Sequence, residues 1–142
     1  MKKAYLVSIP IAIGLLAGGF LAFSPQSEND SKVLTESKLI QDGSPIMGNP
    51  SATITILEWG DYQCTFCHKF HQSTLNTIKQ DFVDTGKVKL VFKDFPLNGP
   101  DSVLAAEAAY CAQDQGKYWQ YHDELYKNWA GENTGWVTPD SL

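Results

Sequence analysis

Two cysteines two residues apart, Cys64 and Cys67, followed at once by His68, are the residues of this sequence best placed to do chemistry. If the pair opens a helix, it can close a small disulfide ring. The helix's unpaired N–H groups and positive dipole end then stabilise a thiolate at Cys64. A thiolate there can attack another disulfide, and Cys67 can resolve the mixed intermediate. Cys-x-x-Cys-His is also the attachment motif for c-type haem, so the motif by itself leaves a thiol redox site and a haem site both open. Cys64, Cys67, His68 and His71 share one helical face, and two thiolates with two imidazoles suit zinc or copper. Four ligands on one helix enclose a tetrahedral ion poorly, so the metal reading ranks last; no metal and no cofactor are expected.

The flanking elements favour the thiol reading. Residues 53–59 are rich in β-branched side chains and predict a strand running into the motif. From Cys64 a helical period takes over, with Cys67, His71, Leu75, Ile78 and Phe82 at intervals of three and four and Gly86 as the stop. Residues 88–92 predict a second strand, parallel to the first through a right-handed crossover. Asp101 is the expected cap of a helix over 102–114, closed by Gly116, and a further helix is expected over 117–129. Thr138-Pro139-Asp140 reads as the start of one more helix. Haem needs a mainly helical wrapper and a distal Met or His. Downstream of the motif there is no Met, and only His71 and His122 remain.

Glu58 is the third candidate. Strand alternation places it on the face of Ile54 and Ile56, where desolvation raises a carboxyl's pKa and equips it to relay a proton for Cys67. Cys111, in an alanine-rich helix, is expected to be a small buried side chain. The aromatic set Tyr118, Trp119, Tyr121, Tyr126, Trp129 and Trp136 is expected to be mostly core.

The 142 residues suit one ordinary domain. All 11 cations are lysines and face 16 acids, for a net charge of −5. An acidic, arginine-free chain excludes nucleic acid as a partner, since that needs a basic surface. Lys2 and Lys3 precede an uncharged run over residues 4–23, which reads as an export signal or a membrane anchor. The lysines would keep the N-terminus in the cytoplasm and put everything after Phe23 outside, where disulfides persist. The expected organisation is therefore 1–23 signal or anchor, 24–44 linker, 45–100 the first part of an α/β domain, and 101–142 a helical part. Two strands do not make a stable sheet. The fold is expected to continue beyond this sequence.

Residues 58–67 (Glu-Trp-Gly-Asp-Tyr-Gln-Cys-Thr-Phe-Cys), 93–97 (Lys-Asp-Phe-Pro-Leu), 105–112 and 116–126 together resemble the DsbA-like branch of the thioredoxin-fold thiol:disulfide oxidoreductases. The resemblance spans roughly residues 43–142. It implies an α/β thioredoxin-like fold with an inserted α-helical subdomain, the C-terminal strands and helix lying outside this chain. It makes Cys64 the attacking cysteine and Cys67 the resolving one. Glu58, six residues before Cys64, takes the place of the family's buried acid. Thr65 departs from the family's frequent proline and, with Phe66 and His68, would tune the site; Phe66 offers an apolar contact to unfolded clients. The implied activity is an exported dithiol oxidase, with reductase or isomerase as alternatives of the same fold. The implied partners are reduced exported proteins and a membrane quinone-linked thiol oxidase. The family's cis-proline loop has no counterpart here, since Pro139 reads as a helix start.

Overall fold

The computed structural model describes residues 35–142. The expected signal or anchor over 1–23, and the linker up to residue 34, lie outside the described residues. Among those described, no helix is long and apolar enough to cross a membrane.

The strand–helix–strand core forms as the patterns predict. Strand β2 (Ile54–Gly60) and strand β3 (Val88–Asp94) pair in parallel, with Ile54 opposite Val88 and Gly60 opposite Asp94. A two-residue strand, β1 (Met47–Gly48), adds antiparallel to the other side of β3, giving the order β1-β3-β2. β3 is thus central, and Leu90, Val91 and Phe92 are fully buried. A stretch as short as Met47–Gly48 has no period, which is why the sequence gives no sign of it.

Helix α1 (Glu36–Ile40) precedes the sheet. The segment read as linker is tied to the sheet from here on. Glu36 bonds Thr55 and pairs with Lys89 at 2.8 Å. Lys93 Nζ donates to the carbonyls of Leu39 and Gln41 at 3.1 and 2.7 Å. Ser44 exchanges bonds with Phe92 through its N–H (2.8 Å) and its Oγ (3.0 Å).

Helix α2 covers residues 65–83 and changes pitch along its length. It is α-helical at Thr65–Phe70, π-wound at His71–Leu75, α-helical at Asn76–Ile78 and π-wound again at Lys79–Val83. Each π segment bonds i to i+5, which slides the buried stripe by one residue. The expected stripe therefore holds through His71 and Leu75 but not at its end: Val83 is buried, and Phe82 stands 43 % exposed beneath the Lys87 ammonium. Gly86, at φ +73, ends the helical run as expected.

Helix α3 (Pro100–Gln113) starts earlier than the sequence implies. Its cap is Gly99, at φ +95, with Pro100 in the first turn; Asp101 is already helical, so the expected Asp101 cap is corrected. Proline's fixed φ suits that position and its missing N–H costs nothing there. Ala105, Ala106, Ala109 and Ala112 form the buried face of α3. Cys111 lies off that face and is exposed, which corrects the expectation of a buried thiol. Helix α4 (Tyr118–Lys127) packs on α3. Thr138–Ser141 makes a capped turn, with the Ser141 N–H donating to the Thr138 carbonyl, rather than a further helix.

The core joins sheet and helices. Tyr62, Phe92, Tyr118, Leu125, Tyr126 and Val137 pack with Ala105 and Ala109. Gly60 is required at the end of β2, because a Cβ there would sit 2.4 Å from the Phe92 ring.

Candidate active site

Asp61 sets the turn that presents the cysteines. Its Oδ1 accepts from the Gln63 N–H at 2.8 Å, an Asx-turn, and from Ser102 Oγ at 2.7 Å. Its Oδ2 accepts the N–H groups of Leu97 (2.7 Å) and Asn98 (2.9 Å). A buried carboxylate is tolerated only when its lone pairs are used, and here four donors use them. Gln63, fully buried, extends the lock. Its Nε2 donates to Asn98 O and Ser102 Oγ, its Oε1 accepts from Asn133 N, and its backbone carbonyl accepts from Trp129 Nε1. The loop before α2, the β3–α3 loop and the segment after α4 are thereby fastened around one turn.

Cys64 is the N-cap of α2, and its Sγ accepts the Cys67 N–H at 3.3 Å. Both thiols are free in this structure. Cys67 lies one turn inside and packs against the core. Burial, reinforced by its hydrogen bond with Cys64 and by the charges of Cys64 and Glu58, pushes its thiol up to about 12. Glu58 lies on β2 behind it, partly buried, with Oε2 enclosed and without a partner. Burial pushes that carboxyl up to about 7. In front of the pair is a cleft of about 320 Å³. Trp59 (51 % exposed), Phe66 (78 %), Phe95 (53 %) and Leu97 (70 %) line it.

The tuning candidates have definite partners. Thr65 donates through both its N–H (3.2 Å) and its Oγ1 (3.1 Å) to Glu132 Oε2. The His68 ring stacks on Trp129 at 4.4 Å, and its Nδ1–H donates to Tyr126 O at 3.1 Å. His71 does not join the cysteines: it is buried, stacks on Tyr126 and donates to Asp123 at 2.9 Å. His122 lies against it, fully buried, with Nδ1 3.0 Å from Tyr62 OH. The four-ligand face expected from the spacing is thus divided, and the one group of potential ligands among the described residues is His71, His122 and Asp123. A lysine ammonium, Lys79 Nζ, already pairs with Asp123 at 3.3 Å.

Asp61, Gln63, Ser102 and Glu132 were not singled out by the sequence. Asp61-x-Gln63 directly before the motif carries an Asx-turn signal that could have been used. Glu132 carries none, because its contact with Thr65 spans 67 residues.

A parallel β2–α2–β3 unit, an antiparallel third strand, a Cys-x-x-Cys pair at the helix start and helices after β3 define a DsbA-like thioredoxin-fold protein. The family model described as Thioredoxin matches residues 41–136, and the chain belongs to that family. It is 30% identical over 140 residues to the probable disulfide bond formation protein D of Bacillus cereus, covering 97% of this chain and 62% of that protein. It is 34% identical over 102 residues to disulfide bond formation protein D of Bacillus subtilis, covering 70% of this chain and 46% of that protein. Among solved structures, oxidised BdbD from Bacillus subtilis superposes with a TM-score of 0.64 at 33% identity, over 68% of this chain and 53% of that one. DsbA from Chlamydia trachomatis gives 0.60 at 27%, over 68% and 53%. The chain therefore spans about half to three fifths of the length of these relatives.

Proposed function

We propose that this chain carries the redox centre of an exported protein thiol:disulfide oxidoreductase that works as a dithiol oxidase. The observation that carries the reading is the asymmetry of a pair that lines one cleft: Cys64 caps the helix, and Cys67, one turn in, packs against the core on the side of the unpartnered Glu58 carboxyl. In the oxidised state a client thiolate would attack Cys64 Sγ. The Cys64–Cys67 bond breaks, and its electron pair goes to Cys67. A thiol pushed up to about 12 is a poor leaving group as an anion. Glu58, pushed up to about 7, is half-protonated near neutrality and supplies the proton that Cys67 takes up. A second client thiolate then attacks the client sulfur of the mixed disulfide and releases Cys64. The client loses two electrons as its disulfide forms, and the Cys pair gains them. In the reverse direction an ionised Glu58 accepts the proton of Cys67.

The exposed aromatic and leucine side chains around the cleft suit unfolded client segments, which present apolar residues. Export rests on the lysine-flanked run over residues 4–23. Reoxidation by a membrane quinone-linked thiol oxidase follows from the family resemblance. Haem attachment has less support, since the ring of His68 is engaged by Trp129 and Tyr126.

The test is a transfer experiment. The oxidised protein is mixed with a reduced unfolded protein bearing two cysteines, and free thiols are counted on each partner. Loss of two thiols from the client with gain of two on Cys64 and Cys67 is the expected result. Absence of transfer, or a Soret band that survives denaturation, overturns the reading.

A further inference from the structure

Glu132 reaches the redox site from the segment after α4, and among the described residues it takes part in no ion pair. Oε2 accepts both the backbone N–H and the Oγ1–H of Thr65, the residue after Cys64. That N–H is one of the unpaired donors at the start of α2, the group that would otherwise favour negative charge on the Cys64 sulfur. Glu132 also lines the same cleft as Cys64 and Cys67. The four ion pairs among the described residues lie away from this cleft.

The other groups around Cys64 leave this role open. Asp61, before α2, has its carboxylate spent on four donors. Cys67, His68 and Lys69 stand on α2, His68 turned to Tyr126 and Trp129 and the Lys69 ammonium held over the Phe66 ring at 5.4 Å. Tyr126 comes from α4, its hydroxyl bonded to Asp61 O. Glu58 lies behind Cys67 on β2. The β3–α3 loop brings Phe95, Leu97 and Asn98, none charged. Among the described residues, Glu132 is therefore the one exposed acid that lines this cleft at the helix start.

We propose that Glu132 is a brake on the oxidising strength of the Cys64–Cys67 pair, acting through Thr65. Its carboxylate claims the first N–H of α2 and places negative charge beside Cys64, so the thiolate, and with it the reduced form, is held at a higher free energy. A less stable dithiol makes the disulfide a weaker oxidant. This rests on the redox reading above and concerns its strength, not its existence. Glu132 is a positioning residue, since it acts through the field at Cys64 rather than by touching a client.

Glu132→Gln keeps an oxygen acceptor for Thr65 and removes the charge. In equilibrium with a glutathione buffer, the variant should shift toward the reduced form about threefold, which corresponds to about 14 mV for a two-electron couple. Alkylation of Cys64 at a fixed mildly acidic pH should rise by about the same factor. Both gains should shrink in 1 M salt, because an exposed charge is screened there. Glu132→Asp should stay near the parent, and Glu132→Ala should gain at least as much as Glu132→Gln. An unchanged equilibrium in Glu132→Gln overturns the brake, as does a shift confined to Glu132→Ala or one that salt does not diminish. If the parent protein itself exchanges no thiols, the redox reading has failed instead, so the two failures are distinguishable.

Discussion

Helix α2 serves two regions of opposite character. At its N-terminus it borders a cleft where polar groups are left short of partners: Cys67 is raised to about 12, and one oxygen of Glu58 is enclosed and unbonded. Two turns on, His71 pairs with Asp123, Asp123 with Lys79, and His122 with Tyr62. Both regions bury titratable groups in an aromatic setting. The first places its raised thiol and carboxyl beside a cleft open to solvent. The second uses hydrogen bonds to join α2 to α4, with the two imidazoles' remaining nitrogens sealed from water. Burial alone does not separate a reactive group from a structural one, since both regions also hold unpartnered polar atoms; access to solvent does.

The largest effect should come from Cys64→Ser, which is expected to reduce thiol transfer to background. Cys67→Ser, offered a client that carries a disulfide, should instead be trapped on it: the Cys64 thiolate attacks that disulfide, one client thiolate leaves, and the mixed disulfide persists on a non-reducing gel. Transfer that persists in Cys64→Ser would erase the contrast between the two regions.

In the reduced protein at pH 7, Cys64 should alkylate more than about 100-fold faster than Cys67, since a partly enclosed thiol pushed up to about 12 holds almost no thiolate. Peptide mass mapping of a timed alkylation reads this directly.

The structural region should reveal itself in acid. Burial, with the neighbouring His71, depresses His122 to about 3. Its ordinary value is 6.5, so the unfolded chain takes up the proton first as pH falls. Stability carried by neutral His122 is therefore present above pH 6.5 and lost toward pH 3. The share of His122 is about 3 kcal/mol between pH 7 and pH 4. Glu58 and Asp94 change with the opposite sign over the same window. The check is therefore the difference between the parent and His122→Asn in denaturant titrations, which should shift against the parent by about 3 kcal/mol from pH 7 to pH 4.

Glu58 should show the opposite sign. Its folded pKa lies above its ordinary 4.5, so the parent loses stability as pH rises from about 4.5 to about 7. Glu58→Gln should be relatively more stable by about 3 kcal/mol at pH 8 and by little at pH 4. Asp94, pushed up to about 6 by burial, tilts both proteins alike and cancels in the difference. The same variant should exchange about tenfold more slowly at pH 7 by stopped-flow fluorescence. Unaltered exchange would leave Glu58 as a merely buried acid.

The smallest effect belongs to Asp123→Asn. Its partly exposed pair with His71 should be worth about 1 kcal/mol on denaturation, with exchange rates unchanged. A rate change there would join the two regions that the structure keeps apart.

Much of this was legible from local patterns. The β-branched run before the motif, the parallel crossover and the positions of α3 and α4 all follow from period and spacing; Glu58 is partly buried as expected, but Ile54, which the alternation puts on the same face, is 57 % exposed. What was not legible depends on contacts between distant segments or on geometry without a sequence code. The π segments move burial from Phe82 to Val83, although no residue announces a change of pitch. Cys111 faces out because α3 uses its alanines as the close-packing face, and both faces read as apolar. Glu36 and Lys93 tie down a stretch whose composition alone resembles a tether.

The fastening of the cysteine turn by Gln63 and Thr65 has a consequence in time. Its far partners, Trp129, Glu132 and Asn133, come 66 to 70 residues later in the chain. At a synthesis rate of about 5–20 residues per second, the cysteines would be made several seconds before the segment that clamps them. For roughly the first half of that interval Asp61 lacks the donors of the β3–α3 loop, and throughout it helix α2 lacks Glu132 at its start. The nascent thiols would thus pass through a period in which neither their spacing nor their electrostatic surroundings is yet that of the finished site. Maturation of the redox centre is then a late event in the protein's folding, timed by the arrival of the helical part rather than by its own neighbours in sequence.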